Sequence, residues 1–105
     1  MKWNVNYTNA AEQDLRSIYE YIANTLCTPD TAKNLTRQIV DEILSLDEMP
    51  NRYARYDKEP WKDRGLRFFS VKNYVVFYLT NEKTKTVYII RIMYGGRDTD
   101  KQLNQ

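Results

Sequence analysis

The sequence predicts an α+β fold in which an antiparallel helical hairpin packs on a four-stranded, mainly antiparallel sheet. Three observations lead to this class. The chain opens with a short apolar–polar alternation, shows helical periodicity over residues 9–46, and ends with three apolar stretches between residues 66 and 94. Because neither layer can bury its apolar side alone, the hairpin is expected to cover one face of the sheet.

The first strand and first helix follow directly from spacing. Apolar Trp3, Val5 and Tyr7 alternate with asparagines, which predicts a strand over residues 2–7 with one wet face. Asn9 is the predicted N-cap, with Glu12 three residues on to complete a capping box. A helical apolar stripe follows, made of Ala11, Leu15, Ile18, Ile22 and Leu26.

A second helix is predicted to begin at Thr28, as its cap, with Pro29 in the first turn, where a missing N–H costs nothing. Its buried stripe consists of Leu35, Ile39, Ile43 and Leu46. Met49-Pro50 ends this helix. The short break at Cys27-Thr28 implies that the two helices form an antiparallel hairpin.

The second half of the chain predicts a loop and three strands in a meander. Residues 50–63 show neither period and form a polar, aromatic loop of about 14 residues, long enough to suspect a function. Strands are predicted over 66–71, 74–79 and 85–94, with Asn73 left-handed in the first hairpin turn. The last strand is the longest and most apolar, which favours a central position in the sheet.

Length and composition indicate one domain spanning residues 1–105, since 42% of the residues are hydrophobic and 29% are charged. No apolar run reaches the roughly 18 residues of a membrane span. The first residues lack the apolar core of a signal peptide. The single Cys27 cannot form an internal disulfide. These features predict a cytoplasmic protein that does not enter a membrane.

The charge of +2 is unevenly distributed along the chain. Residues 1–50 carry four basic and eight acidic side chains, whereas residues 51–105 carry twelve basic and six acidic ones. A basic second half suits an anionic partner, either nucleic acid or an acidic protein segment.

The residue types exclude several kinds of site. The chain has no histidine and only one cysteine, and its carboxylates do not cluster at metal-ligand spacing, so we expect no metal site. Gly95-Gly96 alone is too weak to indicate a nucleotide fingerprint, and we expect no cofactor. Catalysis of RNA cleavage without histidine would require large pKa shifts of tyrosine, lysine or carboxyl groups.

Arginine is the remaining candidate chemistry. Arg67 and Arg91 lie within apolar strands, and Arg97 follows the glycine pair. Their guanidinium groups suit phosphate oxygens and could stabilise charge on a reacting phosphorus. The alternative is that each arginine spreads its stem over the sheet and keeps its head in water. The loop aromatics Tyr53, Tyr56 and Trp61 could stack on bases or equally roof a small core.

Two motifs carry a family resemblance. Gly65-Leu66-Arg67-Phe68-Phe69-Ser70-Val71-Lys72-Asn73-Tyr74-Val75-Val76-Phe77-Tyr78 and Ile90-Arg91-Ile92-Met93-Tyr94-Gly95-Gly96-Arg97-Asp98, together with the helical hairpin, resemble the RelE/ParE superfamily of bacterial toxins. The likeness spans nearly the whole chain. It implies the toxin of a type II toxin–antitoxin module, neutralised by a small antitoxin whose partly disordered segment wraps the toxin and forms a hetero-oligomer with it.

The resemblance also bears on the target. RelE-like members cut mRNA in the ribosomal A site, whereas ParE-like members poison DNA gyrase. In the RelE branch a catalytic arginine follows the tyrosine that opens the third strand, and Val75 stands at that place here. The late tyrosine of that branch has no counterpart after Arg97. The Arg97-Asp98 ending is closer to the ParE-like branch.

We therefore expect a ParE-like gyrase inhibitor, with two alternatives: a ribosome-dependent mRNA endonuclease, or a degenerate toxin fold that binds only antitoxin or DNA. Arg67 and Arg97 are the candidate phosphate or target contacts. The candidate contacts with partner or target are Arg64, Lys72, Arg91 and Tyr94. The antitoxin is expected to place an amphipathic helix or strand in the groove between hairpin and sheet, and acidic residues on the basic half.

Overall fold

In the computed structural model, which describes residues 2–56 and 61–95, two helices pack on a four-stranded sheet, as predicted. Short turns of 3-10 helix cover Ser45–Asp47 and Pro50–Arg52, and a π-helical turn covers Tyr21–Thr25. The strands and helices are β1 (Asn4–Tyr7), α1 (Asn9–Glu20), α2 (Pro29–Leu44), α3 (Trp61–Arg64), β2 (Arg67–Val71), β3 (Tyr74–Asn81) and β4 (Thr86–Tyr94).

The sheet has the order β1-β4-β3-β2. Strands β2, β3 and β4 form the predicted antiparallel meander, and β4 lies inside the sheet, as expected for the most apolar strand. Strand β1 pairs with β4 in parallel, so that Tyr7 lies opposite Ile89. Because β4 continues to Tyr94, its last residues extend beyond the end of β1.

Thr8, not the predicted Asn9, is the N-cap of α1. Its hydroxyl oxygen accepts a hydrogen bond from the Ala11 N–H at 3.0 Å and donates one to the Ile90 carbonyl at 2.9 Å. Asn9 is the first helical residue, and the predicted capping box with Glu12 does not form around it. Thr8 is favoured as the N-cap because its hydroxyl can cap α1 and hydrogen-bond to β4 at the same time.

The hairpin connections also differ in detail from the prediction. Thr28 precedes α2 as predicted, but its hydroxyl donates to the Ile22 carbonyl at 3.1 Å instead of capping the helix. In the β2–β3 turn the left-handed residue is Lys72, with φ of 55°, and not Asn73. Strand ends shift by one or two residues: β1 begins at Asn4 and β3 runs to Asn81.

The main core lies between the hairpin and one face of the sheet. Helix α2 contributes Ile39 and Ile43, and the sheet contributes Val76, Tyr78 and Ile89, all with 0% exposure. Burying each large apolar side chain contributes about 1.5–3 kcal/mol, and this burial holds the two layers together.

A second core lies on the opposite face of the sheet. Leu66, Phe77 and Met93 are buried there, and Tyr56 and Trp61 pack over them. The Tyr56 ring meets the Phe77 ring edge-on, with centroids 5.3 Å apart. Of the two interpretations of these aromatics, the roof over a small core is confirmed. Their neighbour Tyr53 instead stacks on Phe69 in the main core, at 4.6 Å.

Candidate partner-binding groove

A groove of about 920 Å³ opens between the hairpin and the far end of β4. Beyond Tyr7, strand β1 no longer accompanies β4, and the chain turns into α1 above it. One wall is therefore helical and carries Tyr21 and Leu26, while the other is the end of β4 and carries Arg91 and Tyr94. The sequence analysis predicts that an antitoxin segment binds between the hairpin and the sheet, where this groove lies.

The helical wall contains a π-helical turn over Tyr21–Thr25. The Leu26 N–H donates to the Tyr21 carbonyl at 3.1 Å, five residues back, so one extra residue is held in the turn. Tyr21 and Leu26 are 53% and 52% exposed, which is high for large apolar residues. Apolar side chains left in water beside a groove are typical of a protein-binding surface.

Arg91 is fixed at the base of the groove by Asp14 of α1. The Arg91 Nε and one terminal nitrogen donate to the two carboxylate oxygens, at 2.6 and 3.0 Å. These hydrogen bonds raise the pKa of Arg91 above its ordinary value, although partial burial acts in the opposite direction. The same carboxylate accepts the Ile92 N–H at 3.0 Å, at the edge of β4 that β1 does not cover. Arg91 is thus oriented before any partner binds.

Tyr94 stands at the end of β4, 46% exposed, with its ring edge-on to that of Tyr74 at 5.7 Å. The next residue, Gly95, donates its N–H to the Asn73 carbonyl at 2.8 Å. A Cβ atom at Gly95 would lie 3.1 Å from a methyl group of Val75, so glycine permits this close approach. The exposed Lys72 lies in the turn next to Asn73.

Arg67 lies outside the groove. On β2, its guanidinium donates to the Tyr53 carbonyl at 2.7 Å and holds the segment before α3 against the sheet. It also lies close to Tyr78, whose hydroxyl donates to the Pro50 carbonyl at 2.6 Å. Burial raises the pKa of Tyr78 to about 12, although Arg67 and Arg52 act to lower it.

Arg64 lies at the end of α3, with its guanidinium carbon 5.2 Å from the centre of the Trp61 ring. Arg97 lies outside the described residues. The groove therefore brings together Arg91 and Tyr94, with Lys72 in a neighbouring turn. Arg67 and Arg91 lie on strands that β3 separates, and their guanidinium groups bind different partners, the Tyr53 carbonyl and the Asp14 carboxylate. Whether any of these side chains contacts a target remains a prediction.

Sequence reasoning did not find Asp14, Tyr21 or Leu26 as groove residues. Asp14 has the spacing of an ordinary polar helix residue, and only the register of β4 brings it to Arg91. Leu26 belongs to the predicted apolar stripe but is 52% exposed, just after the π-helical turn over Tyr21–Thr25. Tyr21 lies off that stripe, and residue spacing does not predict a π-helical turn.

A family model described as the ParE toxin of the type II toxin–antitoxin system parDE matches residues 5–99. The chain belongs to the ParE toxin family. It is thus the toxin of a type II toxin–antitoxin system, as the two motifs indicated. No curated protein sequence matches this ParE-family chain.

Solved structures share the fold of this ParE-family toxin. The chromosomal ParDE toxin–antitoxin system of P. aeruginosa superposes with a TM-score of 0.71 at 23% identity, over 89% of this chain and 96% of that one. An archaeal RelE–RelB complex from Pyrococcus horikoshii gives 0.65 at 20% identity, over 92% and 99%. A RelBE complex of Mycobacterium tuberculosis gives 0.64 at 18%, over 90% and 92%. At these identities the likeness concerns the fold alone.

Val75 occupies the position at which the resemblance places a catalytic arginine in RNA-cleaving relatives. It packs against the second core, and its methyl group faces Gly95. This position therefore offers hydrocarbon and no cation to a phosphate. Within the described residues, no helix is both long and apolar enough to cross a membrane.

Proposed function

We propose that this ParE-family toxin arrests growth by inhibiting DNA gyrase and does not itself cleave RNA. The observation that carries the proposal is Val75, a hydrocarbon side chain packed on the second core where an RNA-cleaving relative needs a guanidinium. An alkyl group can neither neutralise charge on phosphorus nor move a proton.

Two further observations agree with a non-enzymatic toxin. The chain contains no histidine, the side chain that most often serves as a general acid or base near neutral pH. Arg67, which the sequence offered as a phosphate contact, donates a hydrogen bond to the Tyr53 carbonyl. Its guanidinium thus has a structural task whether or not RNA is present.

The deciding experiment separates the two targets. Purified toxin is added to a DNA supercoiling assay with gyrase, and in parallel to a translation reaction whose mRNA is mapped by primer extension. We expect loss of supercoiling with intact mRNA. Codon-linked cuts with normal supercoiling would instead identify a ribosome-dependent endonuclease. Normal results in both assays, with no growth arrest on induction, would indicate a degenerate toxin that only binds its antitoxin or DNA.

We also propose that the antitoxin occupies the groove between hairpin and β4. The exposed Tyr21, Leu26 and Tyr94 can receive the apolar face of an amphipathic helix or strand. The basic second half can receive its acidic residues, which predicts that raising the salt concentration weakens the complex. An affinity indifferent to salt would contradict the electrostatic part.

A further inference from the structure

The helical hairpin carries a second and shallower depression of about 490 Å³, and all the residues that line it belong to α1 and α2. We call it the outer furrow. It is lined by Leu15, Arg16, Tyr19, Lys33, Thr36, Arg37 and Val40.

The floor of the outer furrow is apolar. Leu15 and Val40 are half-buried, and Tyr19 is 41% exposed. Leu44, one helical turn after Val40 on the same side of α2, is 54% exposed. An apolar seam between two helices, with large side chains left in water, is the geometry that accepts the apolar face of a third helix.

The rim of the outer furrow is cationic. Arg16 rises from α1, and Lys33 and Arg37 rise from α2, so that both sides of the seam carry positive charge. Among the described residues, none of these three side chains forms a hydrogen bond or an ion pair within 4.0 Å. All the charged residues that line the furrow are basic, even though residues 1–50 are acidic overall.

Acidic side chains nonetheless lie just outside the furrow. Glu12 and Glu20 are one helical turn from Arg16, and Asp41 is one turn from Arg37. A continuous phosphate backbone crossing the hairpin would meet these carboxylates as well as the cations. A helix with a few carboxylates spaced along an apolar stripe would meet the cations and the seam alone.

We propose that the outer furrow is a docking site for an acidic amphipathic helix of a protein partner, distinct from the groove proposed for the antitoxin. Carboxylates of the partner helix pair with Arg16, Lys33 and Arg37, and its apolar residues cover Leu15, Tyr19 and Val40. The furrow and the groove share no lining residue, so both sites can be filled at once.

The test uses the full-length toxin and a fluorescent synthetic peptide with leucine and glutamate at helical spacing. The matched probe is a scrambled peptide of the same composition, which keeps the charge and loses the apolar stripe. By fluorescence anisotropy we expect the amphipathic peptide to bind at least about tenfold more tightly than the scrambled one. Equal binding of the two peptides would overturn the proposal.

Variants then locate the site. Arg16→Gln with Arg37→Gln should weaken peptide binding about tenfold, and Tyr19→Ala should weaken it several-fold, with the circular dichroism spectrum unchanged. Lys83→Glu, in the exposed β3–β4 turn, is the matched control and should leave the affinity unaltered. An unchanged affinity of the double variant would place the peptide elsewhere and reject the furrow.

Two competitions complete the test. The peptide should bind equally well to toxin already saturated with its antitoxin; lost binding would assign it to the groove instead. A DNA duplex of about 20 base pairs should not displace it at moderate salt, and efficient displacement would favour nucleic acid as the occupant. Gyrase inhibition is measured separately, so either proposal can fail without the other.

Discussion

The carboxylate of Asp14 binds the guanidinium of Arg91 through two hydrogen bonds, at 2.6 and 3.0 Å. It also accepts the Ile92 N–H, at 3.0 Å. The Asp14 carboxylate therefore supplies a hydrogen-bond acceptor for the end of β4, whereas β1 supplies the partners for the beginning of that strand. The ion pair is largely shielded from water, with the two side chains 27% and 16% exposed.

Replacing Asp14 by alanine should destabilise the fold by about 1–3 kcal/mol, because it leaves both a guanidinium and a backbone N–H without their partner. The measurement is the free energy of unfolding from urea denaturation. Asp41→Ala is the control, since that carboxylate is exposed on the neighbouring helix. A loss below about half a kcal/mol, no larger than that of a typical surface substitution, would show that water replaces Asp14 adequately.

The cap of α1 gives a second prediction. Thr8→Ala removes the acceptor for the Ala11 N–H and the donor to the Ile90 carbonyl together. We expect a loss of about 1–2 kcal/mol in the free energy of unfolding. Thr8→Ser retains the hydroxyl and should restore most of this stability. If serine is as damaging as alanine, the methyl group of Thr8, and not its hydrogen bonds, is the important part.

Tyr78 predicts an alkaline dependence of stability. The pKa of its buried phenol is raised from 10.0 to about 12. Between these values the unfolded chain releases the phenolic proton while the folded chain keeps it, so stability falls as the pH rises from 10 toward 12. Thermal melts across this range measure the slope.

Tyr78→Phe removes that titration and should reduce the slope of stability against pH. It also leaves the Pro50 carbonyl without its donor, so at neutral pH we expect a loss of about 1 kcal/mol. Tyr88→Phe is the matched control, because that ring is 38% exposed. An unaltered slope in the Tyr78 variant would assign the alkaline transition to other groups.

The groove predicts a separation of binding from stability. Leu26→Ala and Tyr94→Ala remove exposed apolar side chains from opposite walls and should weaken the antitoxin complex by about 1–3 kcal/mol each. The free energy of unfolding of the toxin alone should change little. Isothermal titration calorimetry gives the affinity, and Leu44→Ala, an exposed leucine outside the groove, is the control. Wild-type affinity in both variants would show that the antitoxin binds elsewhere on the toxin.

The layered architecture was predictable because the periodic signals are long and agree with one another. The stripe through Ile39 and Ile43 allows only one buried side of α2. The continuous apolar run of β4 is typical of a strand buried on both faces, with Ile89 in the main core and Met93 in the second. The motifs in residues 65–78 and 90–98 also indicated the RelE/ParE superfamily. Predictions limited to a single side chain were less secure, since Thr8 and Asn9 are both good caps and only tertiary contact with Ile90 decides between them.

The candidate site was less predictable for the same reason. Arg67 and Arg91 look alike in sequence, each a lone cation in an apolar strand. Their partners, a backbone carbonyl in one case and a helical carboxylate in the other, lie 14 and 77 residues away along the chain. Such contacts depend on register, which residue spacing alone does not specify. The sequence therefore offered both arginines as groups suited to phosphate, whereas in the structure they fasten two separate segments.

The parallel pairing of β1 with β4 has a consequence for how the toxin is made. Strand β1 can join the sheet only after β4 has been synthesised, because in the described sheet β4 alone links β1 to β3 and β2. During synthesis the nascent hairpin therefore has an incomplete surface to pack on until β4 has been made. A polypeptide released before β4 is made lacks an inner strand of the sheet and one wall of the groove, so we expect such fragments not to form the groove at all.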